Sequence, residues 1–66
     1  MLEDGSTYQG KILDGKPHGF GKKLTYDGQL YIGDFYQGNE NGYGTLFSKK
    51  GTISYQGLWK EGSPQL

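Results

Sequence analysis

Glycine sets the pattern of this chain. Its 13 glycines fall into five series that run in register along 66 residues. Gly5, Gly28 and Gly51 recur at a spacing of 23. Gly10, Gly33 and Gly57 recur at 23 then 24, as do Gly15, Gly38 and Gly62. Gly19 with Gly42, and Gly21 with Gly44, complete the set at 23. A period in this range marks stacked supersecondary units. The fullest unit runs from Tyr31 to Gly44, with partial copies from Tyr8 and from Tyr55. It reads Tyr-x-Gly-x-(bulky apolar), glycine three residues on, then Gly-(aromatic)-Gly. Helix is disfavoured throughout, because glycine this frequent costs ~1 kcal/mol per position relative to alanine.

The segments between turn signals read as strands. Asp4-Gly5, Asp14-Gly15 and Asp27-Gly28 are turn pairs, and Lys49-Lys50-Gly51 is a fourth turn. They leave strands over residues 6–12, 19–26, 29–35, 42–47 and 52–59. Pro17 is expected in a loop, since it cannot donate to a strand ladder. Tyr36–Asn41 is expected to be a loop, and Lys60–Pro64 a frayed end. The fold class predicted is all-β: one elongated, twisted antiparallel sheet of successive hairpins, about five strands. It divides into a partial unit over 4–7, repeats over 8–30 and 31–54, a partial repeat over 55–62, and a tail over 63–66.

Glycine inside a strand normally weakens it, so its recurrence there needs a reason. Gly10 lies two residues from both Tyr8 and Ile12 and shares their face. The absent side chain leaves a slot that an aromatic ring from an adjoining strand can fill. Gly10, Gly19, Gly21, Gly33, Gly42, Gly44 and Gly57 are therefore assigned structural roles. The Tyr-x-Gly of one strand and the Gly-x-Gly of the next form one packing unit.

Composition narrows the function classes. A domain of this length buries only roughly 60% of its unfolded surface and is marginal alone, so a partner surface is expected to help. No cysteine is present, which excludes disulfides and thiolate metal sites. Seven lysines balance seven acids for zero net charge, so nothing draws the chain toward nucleic acid. No apolar run approaches the ~20 residues of a membrane helix. Met1-Leu2-Glu3-Asp4 does not read as a signal peptide. A cytoplasmic protein is the expectation.

At this point the residues resemble a known family, the MORN repeat (membrane occupation and recognition nexus). Its unit of about 23 residues is similar to Tyr-Glu-Gly-x-(Trp/Phe)-x-x-Gly-x-x-His-Gly-x-Gly, followed by a short strand and Asp-Gly. Asp4–Gly10 resembles the junction between units. Tyr31–Phe35 and Tyr55–Trp59 resemble the first strand, and His18–Gly21 and Asn41–Gly44 the second. Departures are Gln9, Ile32 and Gln56 for the usual glutamate, and Ile12 for the usual aromatic. Lys23 stands where an apolar residue is usual, which suggests a bulge. One residue more separates Gly51 from Tyr55 than Gly28 from Tyr31. The resemblance implies a sheet with a shallow groove. It also implies scaffold and adaptor roles in cytoskeletal, ciliary or membrane-junction assemblies.

No catalytic constellation emerges, so the chain is expected not to be an enzyme and to use no cofactor or metal. His18 stands alone and reads as a turn-closing residue, replaced by Asn41 in the next unit. Asp34 and Glu40 do not form an acid/base pair, one being assigned to a strand and the other to a loop. Two features suggest binding. The first is an aromatic strip of Tyr8, Phe20, Tyr31, Phe35, Tyr43, Tyr55 and Trp59, read as a groove for a protein partner. The second is the lysine pairs Lys22-Lys23 and Lys49-Lys50, which could draw anionic lipid. A glycan-binding repeat is a third class, although its paired aromatics are missing. The chain starts within one unit and stops early in another, so open strand edges are expected. They would pair with a partner or a second copy, or else the chain is a piece of a longer array.

Overall fold

The computed structural model describes residues 5–66, and the Asp4 half of the first turn pair lies outside the described residues. Six strands run in sequence: β1 (Thr7–Leu13), β2 (Lys16–Leu24), β3 (Leu30–Tyr36), β4 (Asn39–Phe47), β5 (Ile53–Lys60) and β6 (Ser63–Pro64). Each pairs antiparallel with the next, giving one open sheet in chain order that measures 32 × 22 × 15 Å. The all-β meander expected from the glycine period is what forms. It has one more strand than the five expected.

Hairpins within units close on two-residue turns. Leu13 pairs with Lys16, Tyr36 with Asn39 and Lys60 with Ser63. Both turn residues have positive φ each time: Asp14 (52°) with Gly15 (78°), Gln37 (49°) with Gly38 (93°), and Glu61 (51°) with Gly62 (86°). These are type I′ turns, whose twist matches that of the flanking strands. The strands consequently extend further than expected. Pro17 is buried inside β2, opposite Ile12, instead of in a loop. It fits because its carbonyl is what the ladder uses, accepting from Gly38 N–H at 2.9 Å. Glu40, the counterpart of Pro17, lies in β4 and accepts from Gly62 N–H at the same distance. The expected 36–41 loop is thus only Gln37-Gly38. The expected frayed end is a third such hairpin, in which Gln65 N–H also reaches the Leu58 carbonyl at 2.9 Å.

Hairpins between units close on longer turns. In one, Thr25 and Gln29 bond through their backbones; in the other, Ser48 and Thr52 do. The second flanking pair absorbs the extra residue seen in the sequence. Leu46 pairs with Tyr55 and Phe47 with Ile53, so Ser54 is bulged. The bulge suggested at Lys23 does not occur: Lys23 pairs regularly with Tyr8 and Tyr31.

The register builds straight rungs across the sheet. Gly10, Gly21, Gly33, Gly44 and Gly57 face one another in a line crossing all five long strands. Beside it on the same face runs Tyr8, Lys23, Tyr31, Leu46 and Tyr55. The tyrosine rings lean from this rung over the glycines, which creates the core.

Candidate interaction surfaces

The core is aromatic and lies on the glycine face. Tyr31 is 1% exposed, and Phe35 and Trp59 are also buried, with Tyr8, Leu46 and Tyr55 packed against them. Tyr8 meets Phe35 edge to face with centroids 5.1 Å apart, and Phe35 meets Tyr31 at 5.1 Å. Tyr31 meets Trp59 at 5.0 Å and Trp59 meets Tyr55 at 5.6 Å. Edge-to-face contacts at these distances are the favoured aromatic geometry. Each hydroxyl returns to its own strand: Tyr8 donates to the Lys11 carbonyl (2.7 Å), Tyr31 to Asp34 (2.9 Å) and Tyr55 to Leu58 (3.0 Å). The Trp59 indole N–H donates to the Gly44 carbonyl at 3.1 Å.

Glycine makes this possible by clearance. A Cβ on Gly21 would fall on the Tyr8 ring, and one on Gly44 on the Tyr31 ring. The expected pairing of Tyr-x-Gly with the following Gly-x-Gly is therefore present in both full units. Gly19 (φ 81°) and Gly42 (φ 101°) serve the strands differently. Their left-handed backbone lets β2 and β4 accommodate extra residues opposite Lys11 and Asp34.

The aromatic strip is not one surface. Phe20 and Tyr43 sit between the two glycines of each return strand, so they point to the opposite face, 62% and 69% exposed. The other five rings fill the core, so the glycine face presents no open groove lined by seven rings. Trp59, the broadest ring a sugar could stack on, is covered.

A row of exposed apolar side chains lies on the outer face. One rung there runs Thr7, Leu24, Leu30, Phe47, Ile53. Leu24 is 47% and Ile53 56% exposed. A second rung, Gln9, Lys22, Ile32, Thr45, Gln56, is mostly polar. Beyond it, Phe20 opposes Asp34 and Tyr43 opposes Leu58. A shallow hollow of about 220 Å³ opens among Thr7, Gln9, Lys22, Leu24 and Leu30. Sequence reasoning singled out neither Leu24 nor Ile53. The signal was there for Leu24, one step from inner-face Lys23, but not for Ile53, which lies two residues before Tyr55 and is set opposite Phe47 by the bulge at Ser54.

The four lysines do not gather. Adjacent strand positions send Lys22 and Lys23 to opposite faces. Lys23 lies on the inner face, largely covered, with its ammonium 3.6 Å from the Glu40 carboxylate. Lys49 and Lys50 occupy the β4–β5 turn, where Asp27 is close enough to Lys49 to feel its charge. The Asp27 carboxyl is held below its usual range, chiefly by the Thr25 hydroxyl, with a smaller contribution from Lys49.

His18 lies in β2, not in a turn. Its ring tilts against Tyr36 with centroids 5.2 Å apart, beside a hollow of about 400 Å³ that Leu13, Asp14, Lys16 and Gln37 also line. Asn41 lines the neighbouring hollow in the next unit. Among the described residues no three His, Cys, Asp or Glu side chains cluster as metal ligands, and no helix is long and apolar enough to cross a membrane.

Rungs of tyrosine and glycine, type I′ turns and between-unit bonds at matching positions define a hairpin-repeat array. The MORN repeat family model matches residues 8–30 and 31–53. The chain belongs to that family. Repeats of this kind are in general non-catalytic and commonly serve in protein or membrane interaction. A comparison with the curated proteins finds no match.

Proposed function

We infer that the chain is a non-catalytic interaction module that docks a protein partner on its outer sheet face. The observation that carries this reading is the apolar rung from Leu24 to Ile53, uncovered in a sheet one layer thick. A sheet with an apolar face ordinarily buries it against a second layer. The largest extents, 32 × 22 Å, give a face comparable to the ~800 Å² per partner of a standard protein interface. Phe20, Tyr43 and Leu58 add exposed apolar surface on that side, and aromatic residues are the usual anchors of such interfaces. The setting this reading implies is a small cytoplasmic subunit of a larger cytoskeletal, ciliary or membrane-junction assembly. A lipid-binding role finds less support, because Lys22 and Lys23 diverge and Lys23 is paired.

The test is the double substitution Leu24→Lys with Phe20→Lys. Both side chains are exposed and both lie on central strand β2. The expected outcome is an unchanged urea midpoint together with loss of the proteins that co-purify specifically with the wild type. Sedimentation of both forms shows whether the partner is a second copy. Retention of the same co-purifying proteins by the folded variant would overturn the reading.

A further inference from the structure

One rung of the outer face sets aromatic rings on alternate strands. Phe20 on β2 opposes Asp34 on β3, and Tyr43 on β4 opposes Leu58 on β5. Phe20 and Tyr43 stand 23 residues apart, at the same place in successive units, so the repeat itself fixes their separation. They lie two strands apart, a distance of ~9.6 Å at the usual strand spacing. Both rings are exposed, as is Asp34 between them. Two residues further along the strands His18 and Tyr36 share this face, their ring centroids 5.2 Å apart. Tyr36 lines two hollows there, one of about 400 Å³ with His18 and one of about 330 Å³ with Asn41.

The separation of the rings selects among the backbones a ligand can bring. A polyproline II helix repeats every three residues, ~9.3 Å, so its residues i and i+3 reach both rings. A β-strand repeats its face every ~6.6–6.8 Å, and the second of its side chains falls short of the second ring. An α-helix returns to the same face after two turns, ~10.8 Å, but the intervening residues of an apolar stripe would rest on the Asp34 carboxylate. Aromatic-lined grooves are the usual receptors of polyproline II, whose preset backbone loses little entropy on binding. The exposed Asp34 carboxylate calls for a basic side chain between the two ring contacts.

We propose that this rung binds a proline-rich segment of a protein partner, in the polyproline II conformation and carrying a basic residue. The segment crosses the strands, with prolines i and i+3 on Phe20 and Tyr43 and the basic side chain at i+1 on Asp34. His18 and Tyr36 wall the groove along one side. The inference rests on the outer-face docking reading and narrows it to one class of partner.

The probe is a synthetic peptide of three Pro-Arg-Pro units, titrated into the isotope-labelled full chain and followed by amide chemical shifts. The expected result is saturable binding, with shifts concentrated on residues 18–20, 34–36 and 41–43. A peptide of three Gly-Arg-Gly units has the same charge but no preset backbone, and binds about tenfold more weakly or worse. Tyr43→Thr, which keeps a residue suited to an exposed strand, weakens binding of the proline peptide about tenfold. Asp34→Asn weakens it about threefold and leaves binding of a Pro-Gln-Pro peptide unchanged. No saturation at millimolar peptide, shifts confined to other residues, or equal binding of the proline and glycine peptides would overturn the proposal. So would shifts of the same amides on dilution of the chain alone, which would assign the rung to a second copy. If the peptide fails to bind while the Leu24→Lys, Phe20→Lys variant still loses its co-purifying proteins, this inference falls and the docking reading stands.

Discussion

Gly44→Ala adds one methyl group at the centre of the sheet, and the structure says what it meets. The new Cβ falls on the ring and hydroxyl of Tyr31, the most deeply buried aromatic residue. Backbone on both sides is held by β3 and β5, so the ring must move. Moving it disturbs the edge-to-face contacts with Phe35 and Trp59, worth ~0.5–1.5 kcal/mol each beyond their buried area. It also strains the hydroxyl bond to the Asp34 carbonyl, worth ~1 kcal/mol. A total loss of about 3 kcal/mol follows, within the range known for overpacked cores. That is a large share of the ~3–10 kcal/mol available to a domain of this size. Gly51→Ala is the informative contrast. Nothing lies within 4 Å of its Cβ, but φ is 89°, so its cost is purely conformational, ~1–2 kcal/mol. Urea unfolding followed by Trp59 fluorescence and circular dichroism measures both. Tyr31→Leu combined with Gly44→Ala should be markedly non-additive, because the obstructing ring is gone. If Gly44→Ala costs no more than Gly51→Ala, the clearance argument is wrong.

Gln37 sits at φ 49° in a type I′ turn, where asparagine is favoured. Gln37→Asn should raise the urea midpoint, by ~0.5 kcal/mol in stability, without altering the slope. The Lys23–Glu40 pair lies between two tyrosines on the inner face and is about 15% exposed. Lys23→Met should leave stability within ~1 kcal/mol of the wild type or raise it, while Glu40→Leu, which removes the carboxylate 3.6 Å from a largely covered ammonium, should destabilise more. The two midpoints compared side by side decide the matter. Burial, with help from the Glu40 and Asp34 carboxylates, pushes the Tyr31 hydroxyl above its ordinary 10.0. Below that pH neither state ionises. Above it the unfolded chain releases a proton that folded Tyr31 retains, so stability falls as pH rises. Alkaline unfolding monitored by phenolate absorbance and circular dichroism should be less steep in Tyr31→Phe.

Much of the fold is legible in the sequence, because glycine spacing and strand alternation are both local signals. The antiparallel meander and the fit of Tyr8 and Tyr31 over Gly21 and Gly44 both follow from them. Differences arise where backbone geometry overrides residue preference. Pro17 reads as a loop residue for lack of an N–H, but β2 needs only its carbonyl at that point. The tail after Trp59 looks irregular because glutamate is an unusual first residue for a type I′ turn, yet Glu61 adopts that geometry. The site is harder to read than the fold. Grouping the aromatic residues by type joins Phe20 and Tyr43 to five rings from which strand alternation already divides them. Pairing Lys22 with Lys23 rests on adjacency, and adjacency in a strand means opposite faces.

Comparison between units shows why the outer face is the better place to look for partners. On the inner face the residues repeat: Tyr8, Tyr31 and Tyr55 are identical, as are Gly10, Gly33 and Gly57 two residues further along each strand. They must be, since each unit leaves its core incomplete. Tyr8 packs on Phe35 from the following unit, and Tyr31 on Trp59 from the one after. A change in one unit's ring is felt by its neighbour, and stability is shared along the array. Outer-face positions carry no such obligation. Gln9, Ile32 and Gln56 occupy equivalent sites with different chemistry, as do Lys11, Asp34 and Leu58, and Lys22 and Thr45. Packing within the sheet does not dictate these side chains, so their differences give each unit its own surface. A partner that distinguishes one stretch of the array from the next would read the difference from that face.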